Sequence, residues 1–218
     1  MIITKLNDAL KSTGLMTRGA FHPEPDDAVP GGTGTLVLIG NAGTAMWQSF
    51  SASPPEARHP LDTWTRQVLE PVAAAFKASV AFPFSGPPHH PFQRWAMRAD
   101  TVFTSPIGPL IHPVFGMWHA YRGALLFAER LKLPEQRSAP SPCESCPDKP
   151  CLNTCPVGAF TPGGYDVAGC RAHIGKPEGS DCLGFGCLAR RACPVGQDYL
   201  YEPAQARFHM QKFLDAGR

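Results

Sequence analysis

The stretch Cys143-Glu144-Ser145-Cys146-Pro147-Asp148-Lys149-Pro150-Cys151-Leu152-Asn153-Thr154-Cys155-Pro156 decides how the rest of the chain is read. It spaces four thiols as C-x2-C-x4-C-x3-C-P, and Cys170, Cys182, Cys187 and Cys193-Pro194 follow it. All 8 cysteines of the 218-residue chain fall between residues 143 and 193. Disulfides fit poorly. The start, Met1-Ile2-Ile3-Thr4-Lys5, lacks a charged region followed by an apolar core, so a cytoplasmic protein is expected, whose thiols are kept reduced. Zinc sites usually come as two C-x2-C pairs with a longer spacer between them. Closely packed cysteines ending in Cys-Pro suit an iron–sulfur loop better, and eight thiolates supply two four-iron clusters with none spare. Glycines 184 and 186, between Cys182 and Cys187, allow the tight turns that such loops need.

The run resembles that of two-cluster ferredoxins, in which the last cysteine of each motif serves the other cluster. The matching tetrapeptides Cys-Pro-Val-Gly at 155–158 and 193–196 are similar to the internal repeat of those proteins. One isolated cysteine followed by three ending in Cys-Pro also resembles the ferredoxin part of epoxyqueuosine reductases and reductive dehalogenases. Both families pair two 4Fe-4S clusters with a corrinoid. Carried over from the epoxyqueuosine reductases, the resemblance implies that Cys143, Cys146, Cys151 and Cys193 hold one cluster. Cys155, Cys170, Cys182 and Cys187 would hold the other.

A second segment reads Ile111-His112-Pro113-Val114-Phe115-Gly116-Met117-Trp118-His119-Ala120-Tyr121-Arg122-Gly123. It resembles the IHPRFGGWFAIRG-like segment of the cobalamin-processing decyanase/dealkylase (cyanocobalamin reductase) family. A fainter likeness covers residues 14–44. The resemblance implies a nitroreductase-like α+β domain that binds cobalamin base-off, with His112, Phe115, Gly116, Trp118 and Arg122 at the cofactor. Read without it, His112 before a proline is a loop or core-edge residue, and Phe115 and Trp118 are core or pocket wall. Arg122, in an otherwise apolar run, should not be buried unpaired, so it is the best anion contact and the candidate catalytic residue. Pro30-Gly31-Gly32-Thr33-Gly34 precedes a strand and lacks a Gly-Lys-Ser/Thr ending, so nucleotide binding there is rejected. His89-His90 in its proline-rich stretch reads as a surface loop.

Lys+Arg 20 against Asp+Glu 18 gives no clustered basic face, which argues against a nucleic-acid partner. No apolar run is long enough for a membrane span. Pro 24 and Gly 21 foretell many turns.

The pattern predicts a short helix over 2–13 ended by Gly14, a loop over 19–34 and a buried strand at 35–39. A helix capped by Asp62 should carry Trp64, Val68, Val72 and Phe76 inward, with Pro71 able to bend it. Short strands are expected near 80–82 and 101–103, with one or two more between Leu110 and Phe127 and a bend at His112-Pro113. Residues 133–142 have linker composition. The expected organisation is therefore an α+β corrinoid-binding domain over 1–135 and, over 141–218, a small, loop-rich ferredoxin-like two-cluster module. A closing helix over 203–216 should bury Phe208, Phe213 and Leu214.

The expected function is a redox protein passing electrons from an external donor (flavodoxin, ferredoxin or a reductase) through two clusters to cobalamin. FMN is the other candidate occupant of the N-terminal pocket. Two further classes stay open. One is an electron carrier whose first domain only docks a partner. The other is a corrinoid- or flavin-dependent reductase of a small organic substrate.

Overall fold

The computed structural model describes residues 2–135 and 138–217. Of the expected linker, Gln136 and Arg137 lie outside the described residues. In chain order the elements are α1 (Ile2–Leu10), β1 (Met16–Phe21), β2 (Thr35–Ala42), α2 (Ala45–Ala52), α3 (Pro60–Ala75), β3 (Ser79–Ala81) and α4 (Phe92–Ala99). Then come β4 (Phe103–Thr104), β5 (Leu110–Ile111), β6 (His119–Phe127), α5 (Pro150–Asn153), β7 (Phe160–Thr161) and β8 (Gly164–Tyr165). The last helices are α6 (Val167–Ile174), α7 (Ser180–Phe185), α8 (Leu188–Arg191) and α9 (Pro203–Asp215).

The chain divides into two compact units, and the division is interleaved. One holds residues 1–101 and 119–139; the other holds 102–118 and 140–218. The segment 102–118, expected in the first unit, thus packs with the cysteines.

In the first unit the described strands form one antiparallel sheet in the order β1-β2-β6-β3. β2 is central and buried at every position, as its unbroken Leu36-Val37-Leu38-Ile39 run demands of a strand covered on both faces. The expected 19–34 loop is shorter than anticipated, because β1 runs to Phe21. Its register slips between Thr17 and Ala20, so apolar alternation is lost across Arg18-Gly19, where Gly19 has φ +102°. A Cβ on Gly19 would meet the Ala99 carbonyl at 2.0 Å, so glycine is what lets β1 approach the end of α4.

α3 starts at Pro60, with His59 rather than Asp62 at its cap position, and continues through Pro71. Its buried stripe is Leu61, Trp64, Thr65, Leu69 and Ala73, not the expected Val68, Val72 and Phe76, which are half-buried. Gly123 on β6 answers this stripe: a Cβ there would lie 2.6 Å from the Leu69 side chain.

The second unit is built of short helices, tight turns and two small strand pairs, β4–β5 and β7–β8. Ile107, Ile111, Met117, Cys151, Ala189 and Cys193 form its buried cluster. That explains the interleaving, since the apolar side chains of 102–118 give the cysteine loops a core they could not make alone. α9 closes the chain, but it buries Gln205 and Ala206, while Phe208, Phe213 and Leu214 are only half-buried. Among the described residues no helix is long and apolar enough to cross a membrane.

Candidate functional site

The cysteines sort into two groups within the second unit. Cys143, Cys146, Cys151 and Cys193 line one cavity of about 450 Å³, whose other walls include Pro106, Ile111 and Val195. Cys155, Cys170, Cys182 and Cys187 line another, walled by Phe160, Ile174 and Ala189. This grouping coincides with the one implied by the resemblance to epoxyqueuosine reductases. It crosses the sequence order, since Cys155 leaves the first run and Cys193 joins it.

Electrostatics follows the same division. Burial pushes the Cys143 and Cys151 thiols up, and the neighbouring Cys193 and Cys146 push them further. Burial raises Cys193 too, against a backbone N–H of Val195, with Cys146 adding to the rise. In the second group burial raises Cys182 and Cys187; backbone N–H groups of Leu188, Ala189 and Arg190 oppose it, and Cys170 reinforces it. The Ala159 N–H donates to Cys155 Sγ at 3.3 Å. Burial pushes the Tyr165 phenol up first, and the neighbouring Cys170, Cys187 and Cys155 push it further.

Among the described residues no group of three or more His, Cys, Asp or Glu side chains is gathered tightly enough for one metal ion. A lone zinc would need four sulfurs about 3.8 Å apart, as a Zn–S length near 2.3 Å dictates in a tetrahedron. The first set fits a larger group by donor chemistry and by space. The second set fits by donor chemistry alone, because its cavity of about 10 Å³ has room for about one water. A cluster there requires the four thiols to spread.

Two glycines lock the first set in place. Gly116 (φ +56°) and Gly196 (φ +77°) pack backbone against backbone: a Cβ on Gly116 would lie 2.0 Å from the Val195 carbonyl oxygen. One on Gly196 would lie 2.4 Å from the Phe115 carbonyl. The repeated tetrapeptide allows a controlled comparison, because Gly158 has φ +58° but nothing within 4 Å. Gly158→Ala should cost only the left-handed strain, about 1–2 kcal/mol. Gly196→Ala should cost about 3 kcal/mol or more, because overpacking adds to that strain. Denaturant titration of the two variants checks this, and equal losses would contradict it.

The residues expected at the N-terminal cofactor do not stay together. His112, Phe115, Gly116 and Trp118 belong to the second unit, and Arg122 belongs to the first. The His112 ring accepts at Nδ1 from the N–H groups of Val114 (3.0 Å) and Phe115 (3.2 Å), so it clamps its own turn. Phe115 stacks on His112 and meets Tyr199 edge-on. Trp118 is core, 1% exposed, with Tyr201 edge-on and the Arg190 guanidinium 4.2 Å from its ring centroid. Arg190 is held on that ring, on Tyr201 and on the Met117 carbonyl.

In the first unit Arg122 occupies a bulge. β2 pairs Ile39 with Gly123 and Gly40 with Tyr121, leaving Arg122 as the extra residue, and bulges of this kind re-aim a side chain. Its Nε donates to Asn41 Oδ1 at 3.2 Å. Asn41 is fully buried, and its Nδ2 has no hydrogen-bond partner among the described residues. Beside it lies a network that sequence reasoning missed. Arg18 pairs with Asp100 at 2.8 Å, and the Tyr121 hydroxyl donates to the same carboxylate at 2.9 Å. Burial, partly opposed by Arg18 and reinforced by Asp100, pushes the Tyr121 phenol far up, so it stays protonated. Arg18 gave no signal in the sequence, because its partner is 82 residues away.

No protein-family model matches the sequence, and no curated protein matches it. Solved structures do. An epoxyqueuosine reductase from Streptococcus thermophilus is 14% identical, with a TM-score of 0.57 covering 93% of this chain and 68% of that one. The C. elegans B12-trafficking protein CblC, a human MMACHC homologue, is 15% identical, with a TM-score of 0.55 over 96% of this chain and 90% of that one. An epoxyqueuosine reductase solved with a tRNA-Tyr epoxyqueuosine-modified stem loop is 16% identical, with a TM-score of 0.57 over 92% and 67%. That complex corrects the expectation of no nucleic-acid partner: this fold does carry RNA binding in a neighbour, and balanced overall charge is no argument against it. At these identities the likeness is one of fold, a mixed α/β architecture with small sheets shared with epoxyqueuosine reductase and CblC.

Proposed function

We propose that this chain is an iron–sulfur redox protein that handles a corrinoid. In this reading each cysteine set holds a 4Fe-4S cluster in a ferredoxin-like two-cluster module. Electrons from an external donor then reduce a bound cobalamin or remove its upper ligand reductively. The observation that carries the reading is the sorting of eight cysteines into two sets of four around separate cavities. When bound, such clusters supply one-electron transfers at potentials set by hydrogen bonds, charge and solvent exposure.

The chain's own residues do the rest. Ile111 and Val195 give the first set apolar walls, and Phe160 and Ile174 give them to the second. Arg122, re-aimed by its bulge and steadied by Asn41, offers a guanidinium to a corrinoid amide or an anionic group, where a charge-assisted bond is strong.

An anaerobic titration with hydroxocobalamin, and separately with FMN, tests the corrinoid half. Cobalamin should co-elute with the holoprotein and shift to a base-off spectrum, and Arg122→Leu should weaken that binding without changing iron content. No shift at high micromolar cobalamin would contradict the reading. A second reading, a corrinoid-dependent reductase acting on a modified nucleic acid, is favoured by the fold shared with the stem-loop complex. It requires salt-dependent binding of a tRNA stem loop.

A further inference from the structure

We infer that the two cysteine sets take up their clusters in a fixed order: the first set directly, the second only after the β7–β8 hairpin has carried Phe160 out of its cavity. The inference rests on the cluster reading above and adds how the two sets are filled. All the residues involved belong to the second unit.

The sets differ in the room they leave. About 450 Å³ lies within the first cavity and about 10 Å³ within the second, space for about one water. The iron and sulfide of a cubane fit the first and not the second, so one wall of the second must yield.

One wall is pinned. Ala189 of α8 walls the second cavity, yet it is fully buried in the core that also holds Cys151 and Cys193 of the first set. Its neighbour Arg190 lies 4.2 Å from the Trp118 ring centroid and 4.7 Å from that of Tyr201, and donates to the Met117 carbonyl. The interlocked Gly116 and Gly196 fasten the chain just beyond Cys193. Shifting α8 would therefore disturb the first set as well. Ile174 and Met210 sit on α6 and α9, which Arg171 ties together by donating from Nε to the Phe213 carbonyl at 3.0 Å.

The wall made by Phe160 is held more loosely. It rests against the buried core from outside. It comes from β7, a strand of two residues paired with β8 alone, and a two-stranded hairpin is marginal in water. Its ring stacks on Tyr165 with centroids 4.9 Å apart, and Tyr165 is 41% exposed. Gly158 at the hairpin's root and Gly164 at its tip have nothing within 4 Å of where a Cβ would lie. Glycines with open space at root and tip let the hairpin swing.

The test transfers a preformed 4Fe-4S cubane, ligated by small thiolates, to the full chain under anaerobic conditions. Each cysteine sulfur displaces one small thiolate, which leaves as the thiol with the cysteine's proton, and no electron moves. Stopped-flow absorption follows the transfer, and iron is assayed after gel filtration. The wild-type chain should fill in two phases whose rates differ by about tenfold or more, equivalent to about 1.4 kcal/mol in barrier. Cys155→Ser should keep only the fast phase and Cys143→Ser only the slow one. Phe160→Ala should speed the slow phase by about tenfold and leave the fast one at its wild-type rate, which also reports that the chain is folded. If that variant loses the fast phase, Phe160→Leu, a smaller cut at the same place, should speed the slow phase in its stead. Equal rates in the two cysteine variants, faster filling of Cys143→Ser, or a slow phase that neither Phe160 variant speeds each overturn the inference and leave the cluster reading standing. A wild-type chain that accepts no cubane overturns the cluster reading itself.

Discussion

Cys143→Ser and Cys193→Ser, alone or together, should remove the same half of the reconstituted iron. Cys143→Ser combined with Cys155→Ser should remove all of it. The expectation follows from cavity walls and not from sequence order: Cys143 and Cys155 share a motif but line different cavities, whereas Cys143 and Cys193, fifty positions apart, line the same one. A serine hydroxyl is a poor substitute for a thiolate, so a set with three cysteines should lose its cluster. In numbers, each single variant and the Cys143/Cys193 pair should keep about four iron of about eight, and the Cys143/Cys155 pair nearly none. Iron assay on each variant decides it. If the Cys143/Cys193 pair lost all iron while the Cys143/Cys155 pair kept half, the ligand sets would follow the linear motifs and the grouping would be wrong.

The largest stability effect belongs to the first unit. Asp100→Ala should destabilise the chain by about 3–5 kcal/mol, the usual consequence of stranding one member of a buried ion pair. The Arg18 side chain is 2% exposed and that of Asp100 13%, so the surviving guanidinium would have little water to turn to. Tyr121 would lose its acceptor, and the Thr101 N–H would lose its 2.8 Å bond to Asp100 Oδ1. Against a total stability of about 5–15 kcal/mol, such a loss is large. Arg18→Leu with Asp100→Leu should recover part of it, because an apolar pair leaves no buried charge behind. Denaturant unfolding of the single and double variants checks both statements. A single-variant loss under about 1 kcal/mol would mean that the pair is not a buried anchor.

Much of this architecture could be read from the chain, for identifiable reasons. The 35–39 strand was legible because a continuous apolar run of that length has few other uses. α1 was legible because Leu6 and Leu10 repeat at helical spacing and Gly14, at φ +69°, ends the turn that follows. The cysteine region was legible from composition alone. What escaped depends on long-range packing. Nothing local in Phe103, Ile107 or Ile111 shows that they build the core of the cysteine unit rather than extend the first sheet. The Arg18–Asp100–Tyr121 network joins β1, the end of α4 and β6, and no window of sequence contains all three. Arg122 was singled out from its apolar surroundings, but the bulge that re-aims it exists only in the pairing of β6 with β2.

The central claim is that one chain carries two four-thiolate cluster sites. The most direct test is iron and acid-labile sulfide analysis of the anaerobically reconstituted full-length chain, with Mössbauer spectra of the same sample. The account predicts about eight iron and eight sulfide per chain, all in four-iron clusters. Stable loading with zinc, one or two ions per chain, without visible charge-transfer absorption and without sulfide, would contradict it.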